Sequence, residues 1–505
     1  MGHYYESPSL AGKSLNDFPA TVIADNFIHE QQYDVIIIGA GLGGLLSAAQ
    51  LVQRGKRVAV VERLPHSGGR FTAKTFQGAQ ISTGAVHMVP FGSSGVLARM
   101  LRRLRVPHRF FDADVFGSFH VHGKQIRSRG LLGLFKVFGP RQFFWFTRIG
   151  YFMFLRRLPK EQRSLPFDQW LERHIDVKRN RELTAFFACI SRFALSLELR
   201  QVSTEEVIKT TKNMLRFGAP AIVEGGCGAL TKELEQYILE RGGDLRLHHD
   251  VLQILQEDNQ VKGVRVRDKA KNEESLFLAP LVVSDIGPRS TDALLHNRQI
   301  TQAEVLKQQG KDSIDSEPAC EAIGLKVHVL SDISLIPHKG IMYCLDTQRI
   351  AGIVQPTNFD PGLAPPGKHL LISHQVIQSE NIEEEKRLAL ADLRLVFGES
   401  FEQHCRILTM SAYRGEWPVN RIAQGADVTS HTPVQGLYLV GDAVKPSGYL
   451  MVEGVAQSVN HFLDLIDGAE NEGEPSIAPN NVIPPPSRLK ALRWLWEAPG
   501  NARKS

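Results

Sequence analysis

Gly39, Gly41 and Gly44, with Gly43 between them, stand at the spacing that lets a backbone close around a phosphate. Each position has its reason. Gly39 permits a tight turn, Gly41 lets the chain approach a pyrophosphate, and Gly44 allows a helix to pack closely on the strand before it. The diphosphate then sits at the positive end of that helix. Glu62 follows roughly 20 residues on, where a carboxylate accepts hydrogen bonds from an adenosine ribose, and Arg63 stands next to it. The chemistry served is the grip on a dinucleotide cofactor. Glycine triplets are common in turns, so the weight rests on the elements around them. Val35 to Ile38 reads as a buried parallel strand, Leu45 to Arg54 as a helix, and Val58 to Val61 as a second strand.

A second constellation separates FAD from NAD. Gly436-Leu437-Tyr438-Leu439-Val440-Gly441-Asp442-Ala443, followed by a helix expected from about Gly454 to Leu465, resembles the carboxyl-terminal signature of glutathione-reductase-type flavoproteins. The resemblance implies that Asp442 holds a ribityl hydroxyl, while the helix opened by Gly454 and Val455 directs backbone N–H groups at the flavin pyrimidine edge. Negative charge arriving there on reduction is stabilised by a helix amino terminus. Gly68-Gly69-Arg70 resembles the extended motif of the amine oxidase, phytoene desaturase and carotenoid isomerase group, in which the glycines pass under the cofactor and the arginine approaches its diphosphate. By the same resemblance alone, the backbone of Val251 contacts adenine.

The order of these parts, with the glycine-led helix at 225–241, the strand ending in Ser284-Asp285 and Trp417-Pro418 ahead of the last signature, is similar to that of the phytoene-desaturase-like flavoproteins. That family includes carotenoid desaturases, carotenoid isomerases and retinol saturase. The resemblance implies an FAD-dependent oxidoreductase that desaturates, saturates or isomerises a polyene or isoprenoid lipid. It covers the cofactor domain and leaves the substrate region unread. Two departures stand out: Ser284-Asp285-Ile286-Gly287-Pro288 replaces the Asn-Ala-Asp-Pro of many members, and Pro446-Ser447-Gly448-Tyr449-Leu450-Met451 replaces a Pro-Gly-x-Gly loop over the flavin.

No cysteine lies between 442 and 457, so the flavin is expected to be held non-covalently. There is no second GxGxxG for a nicotinamide, which leaves dioxygen, a quinone or another carrier as electron acceptor. By proximity to these motifs, Tyr449, Glu453 and His87 are the candidate catalytic side chains. Plainer readings stand beside them: packing for Tyr449, a surface or capping role for Glu453, a satisfied polar histidine for His87. Flavin chemistry on an apolar substrate does not demand a strong base.

These residues must be positioned by a large scaffold. A chain of 505 residues, 43% hydrophobic, exceeds one ordinary core and predicts two domains. The fold class expected is α/β: a discontinuous Rossmann-like FAD-binding domain of glutathione-reductase type with an inserted α+β substrate domain. The expected boundaries are a loose tail at 1–32, the FAD-binding domain at 33–110, 221–310 and 405–467, the substrate and membrane-facing domain at 111–220 and 311–404, and a tail at 468–505 with an amphipathic patch at Leu489 to Trp496. Residues from about 111 to 220 read as helix-biased. The stretches 251–254 and 261–266 alternate like a β-meander, and 323–330 and 369–377 alternate as strands of a second sheet.

Cys189, Cys227, Cys320, Cys344 and Cys405 are scattered and never spaced as CxxC, which argues against a disulfide framework or a zinc site. A net charge of +5 is small for this length and carries no nucleic-acid signal. No uncharged apolar run reaches transmembrane length. Between Lys124 and Arg163, however, ten basic residues and one acid are interleaved with Leu131, Phe135, Phe138, Phe143, Phe144, Trp145, Tyr151 and Phe154. The stretch 131–157 reads as a membrane-seeking surface or as a buried helix pair whose arginines reach out to solvent. The first reading predicts a cytoplasmic protein, peripheral on the cytoplasmic face of a membrane. Two other functional readings stay open: a flavin amine oxidase acting on a soluble amine, and a non-catalytic flavin-bound assembly protein.

Overall fold

The computed structural model describes residues 29–470 except 85, 116, 129, 157, 297–323 and 414–427. At its centre is a five-stranded sheet, entirely parallel, in the order Asp244–Leu247, Val58–Glu62, Val35–Ile38, Leu281–Ser284, Leu437–Leu439. Both faces of this sheet are covered, as parallel sheets require. The period of two along each strand sorts the side chains. Val35, Ile37, Val58 and Val60 join the core shared with the helices Leu42–Gln53, Gly226–Leu239 and Met451–Glu470. Ile36, Ile38, Ala59 and Val61 face the other way, against Ile254, Val264 and Phe277 of an antiparallel meander. That meander is His249–Glu257, Gln260–Asp268 and Glu273–Leu278.

A second, seven-stranded sheet runs Cys405–Tyr413, Gly324–Ser331, His369–Val376, Ile350–Val354, Ile341–Cys344, Gly117–Val121, Lys124–Ser128. All its pairs are antiparallel except Ile341–Cys344 with Gly117–Val121. The helix Arg181–Leu195 packs on one face through Phe186, Cys189 and Phe193, and Ala389 and Leu393 of the helix Ile382–Phe397 lie in a separate apolar cluster with Leu325, Val327 and Leu371 of the sheet. Gly130–Phe154 is one long helical run broken at Gly139, whose φ of 67° precedes Pro140. No helix among the described residues is long and apolar enough to cross a membrane.

The expectation of a mixed α/β fold with a parallel sheet holds, and several local expectations need correction. His29–Gln32, expected in the tail, is a strand paired in parallel with Glu273–Leu278; it covers what would be an open edge of the meander. The helix-biased stretch from 111 opens instead with strand residues 110–112, 117–121 and 124–128. Gly117–Val121 is buried at every position, so it lacks the alternation that marks a strand with one wet face. Cys405–Tyr413, expected with the cofactor domain, is the edge strand of the seven-stranded sheet, paired with Gly324–Ser331. Ala221–Val223 sits outside the parallel sheet, between Met88–Val89 and Phe110–Asp112. Cys320, Trp417, Pro418 and the patch at 489–496 lie outside the described residues.

Candidate functional site

The turn after Val35–Ile38 is built as its glycines require. Gly39 (φ 95°) donates its N–H to Val61 O at 2.8 Å, which ties the turn to the neighbouring strand. A methyl group on Gly44 would stand 2.0 Å from Gly39 O, so here the glycine serves helix-on-strand packing. Gly41 and Gly43 face a different neighbour. A Cβ on either would lie 2.4 Å from a carboxylate oxygen of Asp285, and one on Gly441 would lie 2.2 Å from it.

Asp285 therefore stands among three strand ends. Its own segment leaves the strand Leu281–Ser284, the glycine turn leaves Val35–Ile38, and Gly441 follows Leu437–Leu439. Its Oδ2 accepts the Gly44 N–H at 2.9 Å, at the amino end of the helix Leu42–Gln53. A carboxylate oxygen in that place stands in for a phosphate oxygen, and the cradle fits an anion. Desolvation pushes the Asp285 carboxyl up to about 7; the Gly44 amide and Arg70 oppose this, while Glu62 and Asp442 reinforce it.

Around this cradle the other expected residues take their places. Gly68 donates to Ala40 O at 2.7 Å, which brings Gly69 beside Gly41 and sends Arg70 toward Asp442, at 3.4 Å. Asp442 also receives Lys445 Nζ at 2.8 Å, and the Lys445 side chain is entirely enclosed. Glu62 is buried with both oxygens engaged: Ala40 N–H donates to one at 2.7 Å and Leu64 N–H to the other at 2.9 Å. Leu64 O in turn accepts His248 N–H, so the start of the Val251 strand abuts the Glu62 end of the sheet. The Val251 side chain packs into the meander core, and Arg63 points to solvent.

The last helix starts at Met451, three residues before the expected Gly454. The Gly454 N–H is already used, donating to Leu450 O, and Val455 is buried in the helix-side core. The amino end of this helix is therefore carried by Met451 and Val452 rather than by Gly454 and Val455. Its lead-in loop is held from outside: Glu206 accepts Gly448 N–H at 2.7 Å and the Ser447 hydroxyl, and Asn213 donates to Gly448 O at 2.8 Å.

The three candidate catalytic side chains are occupied by the scaffold. Glu453, fully buried, accepts N–H groups from Phe91 at 3.3 Å and Leu97 at 3.0 Å, capping the helix Val96–Leu104. Burial, against those amides, pushes its carboxyl up to about 7. His87, also fully buried, has Nε2 at 2.8 Å from Gln80 O while Nδ1 accepts Cys227 N–H at the start of Gly226–Leu239. Tyr449 packs edge-on against Phe91, with Phe217 beside it. Glu453→Ala is expected to leave the buried Phe91 and Leu97 amides without an acceptor and to cost roughly 3 kcal/mol, read as a lowered urea midpoint, with Glu453→Gln milder. An unchanged midpoint in the alanine variant would contradict the capping role.

Two further buried cations were missed by sequence reasoning. Lys445 is one; Lys326 is the other, enclosed in the strand Gly324–Ser331 and pushed down to about 7 by burial, with the Arg70 charge adding to the effect. A signal existed. In Leu325-Lys326-Val327-His328-Val329, the polar residues take alternate positions of a strand that is buried on both faces.

Comparison with known proteins agrees with this geometry. A family model described as flavin-containing amine oxidoreductase matches residues 42–458. The chain belongs to that family. As a flavin-containing amine oxidoreductase family member it is similar to an uncharacterized protein of Methanocaldococcus jannaschii, 32% identical over 85% of this chain and 98% of that one. The phytoene desaturase (neurosporene-forming) of Rhodobacter capsulatus is 26% identical, over 52% of this chain and 54% of that one. Among solved structures, an oxidoreductase from Methanosarcina mazei superposes with a TM-score of 0.74 at 32% identity, over 86% of this chain and all of that one. Membership of the family makes this chain an oxidoreductase with a flavin cofactor.

Proposed function

We propose that this chain is an FAD-dependent oxidoreductase of the phytoene-desaturase-like branch, binding FAD non-covalently and desaturating, saturating or isomerising an apolar polyene or isoprenoid lipid at a membrane surface. The cofactor half of this reading is supported by the anion cradle of Gly41, Gly43, Gly44 and Gly441, with Arg70, Lys445 and Asp442 beside it. Bound FAD would supply the two-electron sink. The residues present would hold its diphosphate at the amino end of Leu42–Gln53 and its ribose at Glu62. On this reading the FAD-binding domain of glutathione-reductase type is discontinuous, its described parts being 29–110, 221–296 and 428–467, and the described parts of the inserted domain are 111–220 and 324–413.

The single observation that favours a lipid is the surface of Gly130–Phe154. Leu132, Phe135, Phe144 and Tyr151 are exposed there, Leu155 just beyond it, while Arg148 lies over the rings of Trp145 and Phe152 and Arg156 over Phe152. Aromatic and aliphatic side chains that enter a headgroup boundary beside guanidinium groups suit an anionic bilayer. The broken helix also leaves Phe138, Ile149 and Met153 buried on the inserted domain, so the buried-pair reading describes its other face.

Expression in a carotenoid-producing host with pigment analysis tests the substrate class: altered desaturation or geometric isomers are expected. Peroxide formed on an amine panel with pigments unchanged would move the reading to a soluble-amine oxidase, and reducible flavin with neither response to a non-catalytic role. The surface has its own test. Purified protein is expected to float with phosphatidylglycerol vesicles, and Phe144→Asp to weaken that binding roughly tenfold. Partition wholly to the soluble fraction at low salt would refute the membrane component.

A further inference from the structure

The carboxylate of Asp285 occupies the place that an incoming diphosphate needs. Two backbone segments meet Asp285 there with glycine at each contact, the turn at Gly41 and Gly43 and the strand end at Gly441, and a Cβ on any of the three would lie within 2.4 Å of an Asp285 oxygen. The amide nearest the helix axis, Gly44 N–H, is spent on Asp285 Oδ2. Resting on the reading that this cradle takes the FAD diphosphate, we propose that Asp285 competes with the cofactor for its own seat, so that flavin binding takes up a proton at this carboxyl.

The electrostatics follow from the elements packed around it. Asp285 faces Glu62 from the strand Val58–Glu62, Arg70 from the Gly68-Gly69 loop and Asp442 after Gly441, the last already paired with Lys445. The first turn of Leu42–Gln53 carries no acid, and neither does that of the following helix Pro288–Leu295. One guanidinium thus answers three carboxylates, one of which has a lysine of its own. A diphosphate placed among them adds negative charge within contact distance of Asp285, and a like charge at that range favours the protonated acid. A protonated carboxyl releases the Gly44 amide and donates to a phosphate oxygen beside it; an ionised one holds the amide and repels the phosphate. The positive helix end serves whichever anion holds the seat.

The sign follows. Burial already holds the carboxyl up to about 7 before any cofactor charge is added. Below that pH the proton is in place and affinity is level. Above it each binding event takes a proton from solution, and affinity falls by up to tenfold per pH unit. Asp285→Asn keeps the size and the ability to donate, and removes the charge.

The test is flavin release from the full-length holoprotein, followed by recovery of free FAD fluorescence on dilution between pH 6 and 9. Wild type is expected to loosen toward the full tenfold per unit above pH 7.5. Asp285→Asn is expected to give a flat profile and to hold FAD at least tenfold tighter at pH 8.5, and Asp285→Ala a flat profile as well, which guards against a fault particular to the amide. Wild-type affinity independent of pH, or an asparagine variant no tighter than wild type at pH 8.5, overturns the inference and leaves the cofactor reading intact. A chain that holds no FAD at any pH overturns both.

Discussion

Gly44→Ala is expected to cost about 3 kcal/mol or more of stability and to yield protein without bound flavin. Its Cβ would lie 2.0 Å from Gly39 O and 3.2 Å from Ile37 Cγ2. The first of these atoms is backbone at the end of a central strand, anchored by the Gly39 N–H to Val61 O, so it cannot rotate away. The helix Leu42–Gln53 must lift from the sheet instead, and with it the cradle. Gly41→Ala has a different expected outcome. Its Cβ meets only the Asp285 side chain, which turns aside, so the fold is retained while the seat is filled and flavin affinity drops at least tenfold. Gly55→Ala is the control: its φ is +77° with nothing within 4 Å of the added atom, and it should cost only about 1 kcal/mol. Urea midpoints and the flavin absorbance of the purified proteins measure all three. Equal stability for the Gly44 and Gly55 variants would refute the packing argument.

Stability is expected to fall steeply as pH drops below 6.5. Burial holds His87 down to about 4 and His328 and His374 down to about 3, so all three fold as neutral imidazoles. His328 shares Ser82 and Thr409 hydroxyls, His374 the Ser196 hydroxyl, and Lys326 lies close enough to all three to oppose a second cation. The unfolded chain takes up protons on these histidines below 6.5 and the folded chain does not. Stability is therefore present above 6.5 and lost on acidification, by about 1.4 kcal/mol per pH unit for each histidine.

Asp285 and Glu453 act in the opposite sense, because their raised folded-state values make the native protein bind protons first. Buried His338, held down to about 4, adds a fourth loss, and four losses against two gains leave a net fall of about 2.8 kcal/mol per pH unit between 6.5 and about 4.5. His328→Gln removes one loss and should halve that slope to about 1.4 kcal/mol per pH unit. Urea midpoints at pH 4.75, 5.5 and 6.5 decide the matter, and a wild-type midpoint that stays level or rises on acidification would sink the expectation.

What could be read without coordinates was local. The run Val35 to Ile38, the glycine turn and the strand ending at Glu62 lie within one short stretch, and Gly44 has a reason set by its near neighbours Gly39 and Ile37. The meander could be read for the same cause, since hairpin strands alternate in sequence as they do in space. Gly117–Val121 could not, because a strand buried on both faces carries no alternation. A capping role for Glu453 is among its sequence readings, but which helix it caps is not legible there, for a related reason: Leu97 of the helix Val96–Leu104 lies more than three hundred residues away, and nothing in Glu453's own neighbourhood names it.

By itself, then, the sequence determined the strand, turn and helix on which the proposed grip on a dinucleotide rests, because these are local features of one short stretch. Only the tertiary structure decided what shares the seat. Asp285 meets Gly41, Gly43 and Gly441 because three parallel strands end side by side, and Arg70 reaches Asp442 across the same sheet end, whereas Lys445 is Asp442's neighbour three residues on. Parallel strands are joined by long crossovers, so residues that adjoin at their ends are far apart along the chain.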